Sequence, residues 1–348
     1  MPDLVFAVPG DLTSPTGGYA YARQLLALLP GEGIAVAHLG LPGSYPNPSA
    51  ADLAETARLM AATPPHAALL VDGLAFGAMP PELIRGFARP VVALVHHPLG
   101  LEAGLPPGRQ ADLLASEALA LALAQRVVVT SPLTGRLLAA EFNVDPARVT
   151  VAEPGTDPAP RARGTGDPVT LLAVGAVSPR KGYGGLVQAL AGLRDRDWRL
   201  TIVGSLDRNP EAAAALRKAV ARAGLDERIT LAGAVNDATL EALYDRADLF
   251  VSPSLYEGYG MVLAEALARG LPLVASTGGA ALETVPGEAA LKVPPGDVAA
   301  LGEALSRAIG DPALRRSLSD AAWTAAQALP RWPETAARVA RVVKEMVR

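Results

Sequence analysis

The chain has 348 residues, 50% of them hydrophobic and 19% charged, with no cysteine and a net charge of −4. That size and apolar share suit two ordinary domain cores rather than one, and the lack of cysteine removes disulfides, thiolate metal sites and a cysteine nucleophile. Up to Pro160 there are eight arginines, no lysine and fourteen acidic residues, a balance of −6 that leaves +2 for the remainder; an acidic first half repels nucleic acid and anionic lipid.

In the first half, short aliphatic runs alternate with helix-length stretches. Strands are expected at Leu4–Val8, Ala35–Leu39, Ala67–Val71, Val91–Val95 and Arg126–Thr130, with helices at Gly18–Leu29, Asp52–Ala62, Pro81–Ala88 and Arg109–Leu123. The Met-Pro-Asp start carries no basic run before its short apolar stretch, so no export is expected. The longest greasy segment, Ala118 to Ala124, stops at Gln125-Arg126, short of the roughly 20 residues that span a bilayer. The expected location is cytoplasmic.

The stretch EPGTDPAPRARGTGDP, ending at Pro168, reads as an interdomain linker. The alternation then restarts. Strands are expected at Val169–Val174, Arg199–Val203, Ile229–Leu231, Leu249–Val251, Pro272–Ala275 and Ala289–Val293, and helices at Tyr183–Leu193, Pro210–Ala223, Asp237–Tyr244, Met261–Arg269, Val298–Ile309 and Pro312–Leu329. Strands spaced by helices predict an α/β protein of two doubly wound, Rossmann-like domains facing across a cleft. A final amphipathic helix, Thr335–Val347, either closes the second domain or crosses back to the first.

Ligands of such sheets bind beyond the carboxyl ends of the strands, so the strand-to-helix loops are the candidates. The loop ending in Gly17-Gly18 opens a helix and reads either as a plain turn or as a place where backbone approaches a phosphate; it lacks the GxGxxG dinucleotide fingerprint, which argues against a Rossmann oxidoreductase. After Val95 come His96-His97-Pro98. Neighbouring side chains on extended backbone point oppositely, so one histidine faces a ligand while the other packs. His38 and His66 stand at no ligand-like spacing to this pair, so donation to a sugar hydroxyl or a developing charge is favoured over a metal. The loop Gly175 to Gly182 carries Arg180 and Lys181 just before a helix, a plausible diphosphate grip.

The loop with most to say is Ser252-Pro-Ser-Leu-Tyr-Glu257-Gly-Tyr-Gly260, followed by a helix that carries Glu265. Carboxylates bind hydroxyls, whereas glycine amides at a helix start bind anions, so the two glutamates can hold different parts of one elongated ligand. A glycosidase acid and base pair is the rival, and the anion site between the two acids disfavours it.

These residues resemble a known family. SLYEGYGMVLAEALARGLPLVAS, VGAVSPRKGYGGLVQAL, GGAALETV from Gly278 and VPPGD from Val293 are similar to the motifs of retaining glycosyltransferases of GT-B architecture, in the large family 4 group. The resemblance spans essentially the whole chain. It implies a first, acceptor-side domain of residues 1–157 completed by a crossing helix at 331–348, a linker at 158–168, and a nucleotide-sugar-binding domain at 169–330. It further implies that Glu265 binds the ribose hydroxyls and Glu257 the donor sugar. The diphosphate would lie on the turn of Gly258, Tyr259, Gly260, Met261 and Val262, with Arg180, Gly17 and Gly18 as further donor contacts. Lys181 would neutralise charge on the leaving phosphate and His97 would touch the sugar, giving His97, Lys181 and Glu257 as the catalytic set.

The implied reaction is transfer of a sugar from a nucleotide-diphosphate donor to a sugar, small-molecule or lipid acceptor, with retention, by same-face attack and without metal or other cofactor. No second carboxylate is placed for a double displacement. A nucleotide-sugar epimerase of the same plan, or a silent nucleotide- or sugar-binding module, are the alternatives. One departure stands out: Ala176 occupies the place where the family usually has a phosphate-binding arginine, and Arg180 beside Lys181 is the candidate substitute.

Overall fold

The computed structural model describes residues 1–347. The chain divides into two compact units, one made of Met1–Gly155 with the segment from Pro330 onward, the other of Thr156–Leu329.

The first unit is built on one parallel sheet of β1 (Leu4–Pro9), β2 (Val36–Leu41), β3 (Ala68–Asp72), β4 (Val91–Val95), β5 (Arg126–Val129) and β6 (Val149–Val151), in the order β2-β1-β3-β4-β5-β6. Every position of β1, β3 and β4 is buried. That is why these strands read as unbroken apolar runs rather than alternating ones: helices cover both faces. The elements not expected from sequence include β6 and the helix Pro132–Glu141. The helix hides in a turn-like stretch because Ser131 caps it, accepting the Thr134 N–H at 3.1 Å, and Pro132 sits in its first turn.

The second unit holds β7 (Val169–Val174), β8 (Trp198–Val203), β9 (Ile229–Gly233), β10 (Leu249–Ser252), β11 (Leu273–Ser276) and β12 (Ala290–Val293), all parallel, in the order β12-β11-β10-β7-β8-β9. Its strand neighbours Leu171 and Leu172 fall in two separate apolar clusters, one with Trp198, Leu200 and Leu305, the other with Phe250, Leu263 and Leu273. Successive side chains of a strand point to opposite faces, so this sheet too is packed on both sides.

The segment 158–168, expected as a linker, is fastened along the second unit. Arg161 donates to Ser319 Oγ at 2.7 Å, Arg163 pairs with Asp245, and Asp248 Oδ1 accepts from the Thr165 and Gly166 N–H groups at 3.0 and 2.9 Å. Its Pro and Gly content reflects a chain that follows a surface without regular backbone pairing.

The last helix runs from Trp332 to Met346 and belongs to the first unit. Its apolar stripe of Trp332, Ala336, Val339 and Val343 is buried, Trp332 stands edge-on to Tyr21 at 5.8 Å, and Thr335 Oγ1 donates to Glu153 O at 2.6 Å. Gly155 permits the approach, since a Cβ there would fall 2.2 Å from Trp332 N.

In both sheets the strand order reverses between two neighbours, β1 and β3 in the first, β7 and β10 in the second. Crevices at such reversals, beyond the carboxyl ends of the strands, are where open α/β sheets bind ligands.

Candidate functional site

In the second unit the loops after β7 and β10 flank the reversal. The chain leaves β7 through Gly175, turns through Pro179–Lys181, and enters the helix Tyr183–Ala191 at Gly182 in left-handed backbone, φ 66°. Gly182 lies against the β10 loop, where a Cβ would stand 2.2 Å from Pro253 O, and Leu255 N–H donates to Arg180 O at 2.7 Å. Gly175, at φ 148°, makes room for the lysine: an added Cβ would lie 2.7 Å from Lys181 Cε. The glycines therefore bring the cations to Glu257.

There Lys181 Nζ donates to Glu257 Oε1 at 2.6 Å, and Arg180 Nη1 donates to Glu257 Oε2 at 3.1 Å and to Tyr256 O at 2.7 Å. Glu257 and Lys181 are both buried, at 6% and 8% exposure. Burial pushes the Glu257 carboxyl up; Lys181 and then Arg180 more than reverse this and hold it at about 2, against 4.5 ordinarily. Two cations on one carboxylate leave the cluster net positive, which is the charge a diphosphate needs. Arg180 reaches the cluster from four positions beyond Ala176, so the second cation is present despite the missing arginine.

The Glu257 segment is held from behind. Its N–H donates to Gly278 O at 3.1 Å and its carbonyl accepts from Ala280 N–H at 2.8 Å. Only glycine fits this approach: at Gly279, φ 64°, a Cβ would lie 2.3 Å from Glu257 O, and at Gly278 one would lie 2.1 Å from Leu255 O. Beyond Gly258 and Tyr259, Gly260 enters the helix Met261–Ala268 at φ 91°, with no side chain capping its N-terminus. The amides of Met261 and Val262 thus open this helix at the end where the dipole favours an anion.

Glu265 lies on the same helix, and Tyr244 Oη donates to its Oε2 at 2.9 Å. Burial pushes its carboxyl up, and the Tyr244 bond and Arg269 oppose that shift. Lys181, Arg180, Glu257, Gly258, Tyr259, Gly260, Met261, Val262 and Glu265 are thus gathered on adjoining loops of one unit. A cavity of about 530 Å³ lies beside them, lined mainly by apolar groups including Val177, Pro253, Leu255 and Val298; Glu257, Lys181 and Glu265 are not in its walls.

The first unit assembles a second cluster at its own reversal. Gly17 and Gly18 form the first turn of the helix Gly17–Leu28, which Thr16 caps by accepting from Tyr19 N–H at 3.4 Å. A Cβ on Gly18 would meet His96 Nε2 at 3.6 Å, ordinary contact distance. His96 Nε2 stands 3.4 Å from Asp72 Oδ2 at the end of β3, and its ring meets Tyr21 edge-on at 5.4 Å. His97 turns elsewhere, its Nε2 lying 3.1 Å from Glu102 Oε2. The two rings take different partners, Asp72 for His96 and Glu102 for His97, and His96 is the member beside Gly18.

Sequence reasoning passed over Asp72, Tyr244 and the supporting role of Gly278-Gly279. The aspartate ending a buried strand and the glycine doublet following one were visible signals; Tyr244, in an ordinary amphipathic helix, left none. Among the described residues no three His, Asp or Glu side chains gather as a metal site, and no helix is long and apolar enough to cross a membrane.

Residues 168–311, nearly the whole second unit, match the model of the family described as glycosyl transferases group 1. The stretch 168–311 is a group 1 glycosyltransferase domain. A D-inositol 3-phosphate glycosyltransferase of Pseudarthrobacter chlorophenolicus is 37% identical over 171 residues, covering 45% of this chain and 40% of that protein. The chain spans about half the length of the first curated relatives it matches. Among solved structures, sucrose-phosphate synthase of Thermosynechococcus elongatus superposes with a TM-score of 0.82 at 24% identity, over 98% of each chain. Anabaena HepE in complex with UDP-glucose gives 0.77 at 18% identity, over 98% of this chain and 99% of that one. The chain accordingly has the two-unit GT-B fold.

Proposed function

We propose that this protein transfers a sugar from a nucleotide-diphosphate donor to a hydroxyl acceptor with retention at the anomeric carbon. The observation that carries the reading is the Lys181–Glu257 pair, with Arg180 beside it, at the strand reversal of the group 1 domain and next to a glycine-led helix start. In this reading Glu265 takes a ribose hydroxyl, Glu257 takes the sugar, and the amides from Gly258 to Val262 hold the diphosphate. The bond from the anomeric carbon to the phosphate oxygen breaks as the acceptor oxygen attacks from the same face, and the acceptor proton passes to the departing phosphate.

Lys181, Arg180 and the helix start supply positive charge where the leaving diphosphate gathers negative charge, the task a metal performs in other transferases. The reading is therefore metal-independent. Within the first unit, His96, 3.4 Å from Asp72 and next to Gly18, joins the expected His97 as a second candidate ligand-binding histidine. HepE, a fold neighbour, is solved with UDP-glucose, which supports a nucleotide sugar as donor. For the acceptor, the acidic, lysine-free first half favours a soluble or neutral molecule over an anionic membrane.

A thermal-shift series over UDP, GDP, ADP and TDP tests the donor site, because a ligand bound only by the native state must raise its stability. One of them should raise the melting temperature of the native protein, and Glu265→Ala should abolish most of that shift. An equal shift in the variant removes Glu265 from the site, and no shift with any nucleotide overturns the donor assignment.

A further inference from the structure

Glu265 has a neighbourhood of its own that the donor reading leaves unexplained. Tyr244 comes from a different element, the helix Asp237–Arg246, and is 1% exposed. Its hydroxyl donates to Glu265 Oε2 at 2.9 Å, while its ring packs against two other side chains: Phe250 stacks at 6.0 Å with planes 16° apart, and the Arg269 guanidinium lies 4.3 Å from the ring centre. Arg269 also donates to the Glu265 carbonyl at 2.9 Å and pairs with Glu241. A tyrosine this deeply buried, packed against a ring and a guanidinium, has no room to swing, so its O–H fixes one carboxylate oxygen in place.

A freely turning carboxylate offers two equivalent oxygens to any hydroxyl, and discriminates little between one diol position and another. Here the equivalence is broken: Oε2 is occupied by Tyr244, and among the described residues Oε1 carries none of these contacts. Burial raises the Tyr244 hydroxyl well above its ordinary range, which keeps it a donor throughout the working pH range.

We infer that Tyr244 is a positioning and specificity-determining residue, which clamps Glu265 through Oε2 so that Oε1 is presented to a ribose hydroxyl and the site selects ribonucleotides over deoxyribonucleotides. The inference rests on the reading of Glu265 as the ribose-binding residue. Tyr244 touches no substrate in this scheme and acts through Glu265.

The test measures dissociation constants of UDP, GDP and ADP, each beside its 2′-deoxy and 3′-deoxy counterpart, for the full-length wild type, Tyr244→Phe and Glu265→Gln. A hydrogen bond to a charged group sets the expected preference for a ribonucleotide at about ten- to a hundredfold over the counterpart lacking the bound hydroxyl. Tyr244→Phe should bring that ratio to within about threefold of unity, chiefly by weakening the ribonucleotide, and Glu265→Gln should do the same. If no ribonucleotide binds the wild type, or wild type shows no preference, the ribose role of Glu265 fails and the inference with it. If wild type shows the preference and Tyr244→Phe keeps it, or weakens both nucleotide forms by one common factor, Glu265 stands and Tyr244 is merely structural.

Discussion

Two buried carboxylates in this protein have been pushed in opposite directions, and the difference is company. Glu257 is ringed by Lys181 and Arg180 and sits at about 2. Glu117, in the first unit, is 1% exposed and its Oε2 accepts only the Leu99 N–H, at 2.7 Å, so burial raises it to about 8. The folded chain therefore keeps a proton on Glu117 that the unfolded chain has released above its ordinary 4.5. Stability from this group is full below about 4.5 and is lost as pH rises toward and through about 8. Glu117→Gln, neutral at every pH, should lose that slope: denaturant midpoints taken at pH 5 and pH 9 should fall further in wild type than in the variant. Parallel declines would mean that Glu117 is ionised in the fold. None of this was legible beforehand, because Glu117 sits in an unremarkable alanine- and leucine-rich helix and only its depth in the packing gives it a shifted proton.

At the scale of elements, the proposed donor site is a contact among three loops that have no room between them. Gly279 meets the Glu257 backbone, Gly182 meets Pro253, and Gly175 lies beneath Lys181. Gly279→Ala would force a Cβ into left-handed backbone and to within 2.9 Å of Glu257 N; the destabilisation should exceed about 1 kcal/mol. The proposed transfer activity should fall further than the stability loss accounts for, because Glu257 moves with its loop. A variant that melts lower yet turns over normally would show that the loop contact supports the fold alone. The cations, the glutamates and the glycine-led helix were legible in the sequence because loops after buried strands concentrate chemistry into short, polar, glycine-marked stretches. Which loop leans on which was not: contacts such as Gly279 with Glu257 depend on strand order, and a linear pattern shows strands without saying which are neighbours. The helix Pro132–Glu141 and the edge strand β6 were hidden for another reason: the helix starts in a Ser-Pro stretch that reads as a turn, and β6 is only three half-buried residues long.

For the molecule as a whole, the two sheets of Rossmann-like strands followed from the alternation of apolar runs and helices, and the group 1 match covers the second. The boundary was harder to read, since composition marks irregular backbone and the fastened segment 158–168 is irregular without being loose. Each unit has its own core, so the second should stand alone. A fragment of residues 156–329 should melt cooperatively and keep its nucleotide-dependent stabilisation, measurable by calorimetry with and without ligand. A chain ending at residue 329 should keep that transition and lose the one belonging to the first unit, because Trp332, Ala336, Val339 and Val343 complete that core. Survival of both transitions would show the last helix to be dispensable. The position of that helix also sets an order of events on the ribosome. The second unit is an excursion between Gly155 and Pro330, and all of its residues have been synthesised before the helix that closes the first unit. Domains fold as units during synthesis, so the unit begun first is the one finished last, and the second unit is complete while its companion still waits for its final strip of hydrophobic cover.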